Sequence, residues 1–266
     1  MSVSIRLPAV AGLFYPSDAK ALRRQIQHCS AQAENKFPPT EITHYRALVA
    51  PHAGYQYSGR VAAAAYRFLP VDQAKKIAIL GPSHRVPLLG IAAPASSVFE
   101  TPLGGISIDQ HTIGELIELG LVHYNDVVHA PEHSIEVQLP FIQSIVDDFD
   151  LVPLLVGESD PALVAALIKE LMQRKFFIII STDLSHFLTY EAAQQADTLT
   201  TQKVLGLNWH LRGEDACGCR ALNGLLKYAD ERQLSLSLIA QENSGDLTGD
   251  RSRVVGYGAY GMFGGG

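Results

Sequence analysis

Seven short apolar runs divide the chain, and several of them show no alternation of polar and apolar residues. Runs of this kind are typical of strands that are covered on both faces, as in a parallel or mixed sheet packed between helices. The seven predicted strands are residues 46–51, 76–81, 90–94, 150–156, 175–181, 234–241 and 253–263.

Helical patterns alternate with these strands, which predicts an α/β sandwich. Ser17 and Asp18 are candidate caps for the first helix, and Asp160 followed by Pro161 suits the start of another. Pro140 predicts a break. Residues 84–130 are less regular and predict antiparallel strands or a lid. The predicted helices are residues 17–34, 59–69, 109–119, 132–146, 160–174, 189–207 and 215–233.

Composition narrows the class of protein. The chain has 266 residues, of which 47% are apolar and 18% are charged, as expected of one globular α/β domain over 1–266. Its net charge is −6 without a basic cluster, so neither nucleic acid nor a membrane is an expected partner. Three cysteines are too few for a disulfide scaffold and favour a reducing, cytoplasmic setting.

Polar side chains that suit a metal site follow four of the predicted strands. In an open α/β sheet, ligands bind at the carboxyl ends of the strands, so neighbouring parallel strands would bring these groups together. Any one of them is also explained as an ordinary loop residue, because loops are polar. The residues are His52, His84, Asp183, His186, Glu242, Asp246 and Asp250.

Two histidines and a carboxylate with open coordination positions are the signature of non-haem Fe(II), and zinc takes the same ligands. A further histidine beside the metal suits proton transfer, because its ordinary pKa lies near neutrality. Asp183 lies three residues before His186 and is a candidate partner for a histidine ring N–H.

Two other motifs carry weaker signals. In "PEHSIEVQLPF", helical spacing would place Glu132, His133 and Glu136 on one face, either as functional groups or as a structural cluster. The cysteines of "ACGC" do not face each other on a helix and lack the other half of a zinc site, so they are interpreted as buried thiols. The G-x-S-x-G motif is absent from the sequence, which gives a serine hydrolase no support.

Six ordered motifs resemble one family across nearly the whole chain, from about Pro8 to Phe263. They are "AVAGLFYP", "PHAGYQYSG", "LGPSH", "EHSIEVQLPF", "STDLSHF" and "NSGDLTGDRSRVVGYGA". Together they resemble the Memo family, whose bacterial and archaeal members are called AmmeMemoRadiSam system protein B. The resemblance implies a mixed, largely parallel central sheet flanked by helices, similar to the class III extradiol dioxygenases that open catechol rings with Fe(II).

The resemblance also implies roles for individual residues. His52 and His84 take the places of the metal-binding histidines, and His186 takes that of the acid–base histidine, with Asp183 in the same motif. Eukaryotic Memo has a cysteine as its third metal-site residue. Here "NSGD" puts Asp246 at or near that position, with Glu242 as the fallback. A shared fold does not transfer a reaction.

The leading hypothesis is a dioxygenase-like enzyme with Fe(II), or else Zn or Cu, on His52, His84 and Asp246. His186, Asp183 and His133 are the predicted catalytic residues. The first alternative is a module that binds a peptide or small molecule against Tyr55, Tyr57 and Ser83, with an incidental metal. The second is a metal-assisted hydrolase. Assembly into a homo-oligomer stays open.

Overall fold

A nine-stranded mixed sheet forms the centre of the computed structural model, which describes residues 4–38, 41–42, 44–71 and 74–264. That residues 1–266 form one domain stays a prediction. Residues 1–3, 39–40, 43, 72–73 and 265–266 lie outside the part of the chain that the structure describes. The strands are β1 Ile5–Arg6, β2 Ala47–Ala50, β3 Lys76–Pro82, β4 Ile91–Ala93, β5 Val98–Thr101, β6 Gly104–Ser107, β7 His123–Tyr124, β8 Asp150–Val156, β9 Phe177–Ser181, β10 His186–Leu188, β11 Ser235–Asn243 and β12 Val254–Phe263.

Four parallel strands, in the order β2-β9-β3-β8, make up the middle of this sheet. Their side chains are buried almost throughout, as the runs without polar alternation predicted. β12 is antiparallel to β2 and pairs with both β10 and β11, while β4 is antiparallel to β8. The predicted mixed, largely parallel sheet flanked by helices is confirmed.

Helices cover the sheet, and of the predicted caps Asp18, rather than Ser17, caps the first helix, while Asp160 caps the helix that starts at Pro161. The Asp18 side chain accepts a hydrogen bond from Ala21 N, and Asp160 accepts one from Ala162 N ahead of Pro161. None of the helices in the described part of the chain is long and apolar enough to cross a membrane. The helices are α1 Ala19–Lys36, α2 Tyr55–Tyr66, α3 Gln110–Glu118, α4 Asp126–His129, α5 Leu139–Gln143, α6 Pro161–Gln173, α7 Tyr190–Leu205, α8 Cys219–Glu231 and α9 Gly245–Thr248.

The predicted helix over residues 132–146 is wrong in its first half. Residues 132–135 form a turn, a 3-10 segment covers Glu136–Gln138, and α5 begins only at Leu139 with Pro140 in its first turn. Glu132 and Glu136 therefore do not share a helix face. Glu136 is buried against Arg6 and accepts hydrogen bonds from Ala9 N, Val10 N and the Tyr15 hydroxyl.

The irregular segment 84–130 contains the antiparallel pair β5–β6, as predicted. β1 adds to this pair as a small three-stranded sheet beside the main one. Arg6 in β1 donates to the His129 and Glu132 carbonyls as well as to Glu136. This buried ion pair with its hydrogen bonds fixes the N-terminal segment next to the turn at residues 132–135, because an unpartnered buried charge would be very costly.

Close contact between α6 and α8 sets the position of the loop that leads into α8. A Cβ added at Gly224 of α8 would lie 2.2 Å from Cγ1 of Val164 in α6. Val is branched at Cβ and has little rotamer freedom in a helix, so it cannot move aside easily. The glycine is thus required for the packing distance between the two helices.

We expect Gly224→Ala to lower the free energy of unfolding by about 1–3 kcal/mol, because the added methyl overpacks the α6–α8 contact. Gly114→Ala is the matched control, since Gly114 lies inside α3 with nothing within 4 Å of its added Cβ. That substitution should stabilise the protein by about 0.5–1 kcal/mol. Urea unfolding midpoints measure both effects, and stabilisation by both alanines would contradict the assigned contact.

Candidate metal centre

The carboxyl ends of three adjacent parallel strands bring predicted site residues together. His52 follows β2, Asp183 follows β9 and His84 follows β3. The His52 backbone N–H donates to Asp183 Oδ1 over 2.8 Å, which ties the first two strand ends to each other. The His52 and His84 ring centroids are 5.1 Å apart.

Cys217 joins these two histidines as a third donor. One donor atom from each of His52, His84 and Cys217 lies within 4.8 Å of the others. His52 Nε2 is 3.3 Å from Cys217 Sγ. Metal–nitrogen bonds near 2.0 Å and metal–sulfur bonds near 2.3 Å put the two ligand atoms about 3–3.7 Å apart around one ion. The separation therefore fits a shared metal.

A chain of buried hydrogen bonds fixes the proton on His52. Ser181 Oγ donates its one proton to the Ser134 carbonyl, 2.6 Å away, and accepts from Gln138 Nε2 over 2.7 Å. His52 Nδ1 lies 2.9 Å from the same oxygen and must therefore be the donor. In the neutral ring this leaves the Nε2 lone pair free to bind a metal. Burial, with smaller contributions from neighbouring histidines, lowers the pKa of His52 and keeps the ring neutral.

The Glu132 carboxylate fixes His84 in the same way. Glu132 Oε1 is 2.9 Å from His84 Nδ1 and also accepts from the backbone N–H groups of His133 and Ser134, while Oε2 accepts from His84 N. Burial alone would raise the pKa of Glu132, but the neighbouring His133 and His84 outweigh it and hold the pKa well below its usual range. The carboxylate only accepts, so His84 Nδ1 donates and its other nitrogen is available to a metal.

Cys217 is delivered by the loop that precedes α8. Its N–H donates to the Asp183 carbonyl, and its sulfur accepts from the Asp183 N–H over 3.3 Å. A Cβ on the next residue, Gly218, would lie 2.6 Å from the Ser181 carbonyl oxygen, so only glycine lets the loop approach β9 this closely. Burial and the nearby Asp183 raise the pKa of Cys217 to about 12, which keeps it a thiol until a cation binds.

The expectation that Asp246 supplies the third metal ligand is corrected by its contacts. Asp246 Oδ1 accepts from the Tyr190 hydroxyl over 2.6 Å, and Oδ2 accepts from Asn243 N. The fallback, Glu242, is paired with Arg60. β11 ends at the same edge of the sheet as β2, but β12 lies between the two strands. The end of β11 is therefore two strand spacings, about 10 Å, from the end of β2.

A cavity of about 610 Å³ opens beside the histidines. His133, His186, Asp183 and Tyr57, all predicted site residues, line it together with His52 and His84. Tyr55 does not line this cavity, since it is buried and donates its hydroxyl to the Val137 carbonyl. Ser83 donates to the Val86 carbonyl and lines a second cavity, which Cys217 also lines, so its role in ligand binding stays a prediction.

Asp183 and the two further histidines differ in their contacts. Asp183 is predicted to accept from a histidine ring N–H, but among the described residues it accepts from the His52 backbone N–H and from no histidine ring. Burial raises the pKa of Asp183. The His133 ring stacks on the His84 ring with centroids 4.8 Å apart. The Phe14 ring also packs against His133, with a centroid distance of 4.6 Å. His133 Nδ1 is 3.1 Å from Glu132 Oε1, but it has no hydrogen-bond partner of suitable geometry.

Sequence reasoning missed Cys217 as a donor and Glu132 as the partner of His84. The interpretation of "ACGC" as two buried thiols holds for Cys219 and fails for Cys217, which is half-buried beside His52. One available signal was the glycine between the two cysteines, since a cysteine directly before Gly218 and a helix start can approach a strand end closely.

Comparison with known proteins identifies the family. A family model described as Memo-like protein matches residues 6–261 of the chain. The chain belongs to the Memo family. A MEMO1 family protein of Ignicoccus hospitalis is 35% identical over 96% of this chain and 97% of its own length. One of Methanosarcina mazei is 34% identical over 97% and 98% of the two chains. The names of these Memo family relatives state no reaction.

We expect Glu132→Gln to weaken metal binding by about 10- to 100-fold, as is typical when the partner of a metal-binding histidine is lost. The amide offers donors where the carboxylate accepts from His84, so the ring loses its orientation. Titration of zinc against a competing chelator measures the affinity. The control is Glu158→Gln, an exposed glutamate two residues beyond β8 that pairs with Arg220. Equal affinities for the two variants would contradict the role of Glu132.

Proposed function

We propose that this Memo family protein is a metal-dependent enzyme that carries out dioxygenase-like chemistry on a small substrate. One observation carries the proposal. His52 and His84 each use Nδ1 in a hydrogen bond to a buried partner, His52 Nε2 lies 3.3 Å from Cys217 Sγ, and a ring nitrogen of His84 lies within 4.8 Å of the donor atoms of both. The two histidines also line the cavity of about 610 Å³, which lies within the size range of small-molecule sites, about 300–1,000 Å³.

Fe(II) is the metal that we propose, with zinc and copper as the alternatives. Imidazole nitrogen suits all three metals, and the thiolate adds affinity for the softer ones, zinc and copper(I). A bound divalent ion would supply Lewis acidity and a template for the substrate. Three protein donors leave coordination positions for other ligands, as in catalytic metal sites.

His186 is the proposed acid–base group. It lines the cavity at the start of β10. The loop before it is held by backbone hydrogen bonds from Leu184 N to the Gly256 carbonyl and from Gly256 N to the Ser185 carbonyl, and by one from Ser185 N to the Asp197 carboxylate. No side chain in the described ranges makes a hydrogen bond to its ring, so both ring nitrogens are available to a substrate. His133 lies across the site against His84 and would contact the same bound molecule.

We also propose that the protein is cytoplasmic. Cys29, Cys217 and Cys219 are all free thiols in the structure. A thiol donor at a metal site would be lost to oxidation in an oxidising compartment, so a reducing one suits it.

Protein reconstituted anaerobically with Fe(II) should bind about one iron per chain, and His52→Ala and Cys217→Ala should each lose most of it, because three protein donors hold the ion. Elemental analysis after desalting measures the iron. Cys219→Ala, two residues from Cys217, and Asp246→Asn are the controls and should keep the metal. Wild-type protein that stays metal-free would overturn the proposal. Loss of iron in Asp246→Asn but not in Cys217→Ala would show that the third donor is misassigned.

The iron-loaded protein should consume O2 with at least one member of a panel of catechols. His186→Ala should slow this by about 10²- to 10⁴-fold while iron content is unchanged, as expected for loss of a general acid or base. An oxygen electrode and elemental analysis give the two readouts. Turnover of ester or amide substrates without O2 uptake would instead favour a metal-assisted hydrolase. Ligand binding that chelation does not affect would favour a binding module.

A further inference from the structure

Two arginines line the same cavity as the histidines. Arg85 directly follows His84 beyond β3, and Arg253 directly precedes β12. Both are exposed, and neither makes an ion pair with a carboxylate among residues 4–38, 41–42, 44–71 and 74–264. The salt bridges of the described chain use other arginines, such as Arg6, Arg60 and Arg174. These two guanidinium groups thus carry charge that no carboxylate of the described residues pairs with.

Neither of the two carboxylates that line the cavity forms an ion pair with Arg85 or Arg253, so together they offset at most part of this charge. Asp183 is buried and committed to the His52 N–H. Asp250 lies at the exposed rim, where its Oδ1 accepts from the N–H and hydroxyl of Ser252. The whole chain carries a net charge of −6, so general attraction of anions to its surface is not expected. An anion would find a favourable partner here mainly in Arg85 and Arg253.

Aromatic side chains supply part of the remaining wall. Phe14, Tyr57, Phe187 and Tyr257 all line the cavity. Phe187 is 61% exposed, although a phenylalanine of this size is usually buried. The Arg253 guanidinium carbon lies 4.9 Å from the centre of the Phe187 ring, which places a cation and an aromatic surface side by side. Such a wall suits a planar apolar group with an acidic substituent.

We infer that the substrate of this site is an aromatic small molecule that carries an anionic oxygen group, a carboxylate or a phosphate, recognised by Arg85 and Arg253. This inference rests on the proposed function and adds the class of substrate to it. Arginine forms paired hydrogen bonds with either oxyanion, and the two sources share this chemistry. The aromatic wall would hold the ring with its reacting atoms next to His52, His84 and His186.

Ligand binding to the metal-loaded protein tests the inference. The probes are benzoate, phenyl phosphate and the neutral isostere benzamide, titrated by NMR with iron replaced by zinc. Benzoate and phenyl phosphate should each bind at least about fivefold more tightly than benzamide, the scale of an exposed charge pair. The carboxylate and phosphate arms show which oxyanion the site prefers, and tighter binding of either supports the inference.

Arg85→Gln and Arg253→Gln separate the arginines from the metal as the source of the preference. The double variant should bind all three probes within about twofold of one another. Arg251→Gln is the matched control, because Arg251 also stacks on an aromatic ring, that of Tyr190, but does not line the cavity. It should keep the wild-type preference.

The outcomes distinguish this inference from the proposed function. Elemental analysis of every variant reports metal binding separately, and each variant should retain about one metal per chain. A protein that binds no metal overturns the proposed function. A metal-loaded wild-type protein without a preference for the anionic probes overturns only the substrate class. A preference that survives in the double arginine variant also overturns it, since the metal would then be its source.

Discussion

The buried carboxylate of Glu132 is the group on which the geometry of the site depends. It accepts four hydrogen bonds, two from His84 and one each from the backbone of His133 and Ser134. A buried charge needs such partners, because an unsatisfied carboxylate is very costly. The chain at residues 132–134 therefore turns around the carboxylate and does not continue as a helix. That turn also places the Ser134 carbonyl where it accepts the Ser181 proton, so one carboxylate contributes to the setting of both histidines.

How much of the fold and of the site can be predicted from the sequence depends on how far apart the interacting residues lie along the chain. The strands, most helices, His52 and His84 follow from local patterns and from the rule that parallel strands present ligands at one edge. The turn at residues 132–135 depends on a carboxylate binding a backbone 48 residues away in sequence, which helical spacing cannot reveal. Cys217 depends on contact 165 residues away and on how closely α8 packs. The error at Asp246 has a different cause, because β12 lies between β11 and β2 and neither the strand ends nor the motif order shows this.

In the proposed metal centre, cysteine in place of a carboxylate would change the softness of the donor set but not its formal charge. Two neutral imidazoles and one anionic donor leave a divalent ion with one net positive charge in either case. The thiolate is softer, and it adds affinity for zinc and copper to a set that otherwise suits Fe(II). Membership of the Memo family fixes the fold and leaves this point open, since a fold hosts many reactions. The donor set therefore makes metal identity the first property to measure.

The contacts of Asp183 link His52 to Cys217, and they favour a structural role for this residue over one in proton transfer. Its carboxylate accepts the His52 N–H, its own N–H donates to the Cys217 sulfur, and its carbonyl accepts the Cys217 N–H. The adjacent Thr182 hydroxyl accepts from Gly218 N and so holds the same loop. Residues 182–183 thus set the distance between His52 and Cys217. In the proposed function His186, which lines the cavity, is therefore the candidate for the acid–base role, while the buried Asp183 holds His52 and Cys217, the two proposed metal donors, at the end of β9.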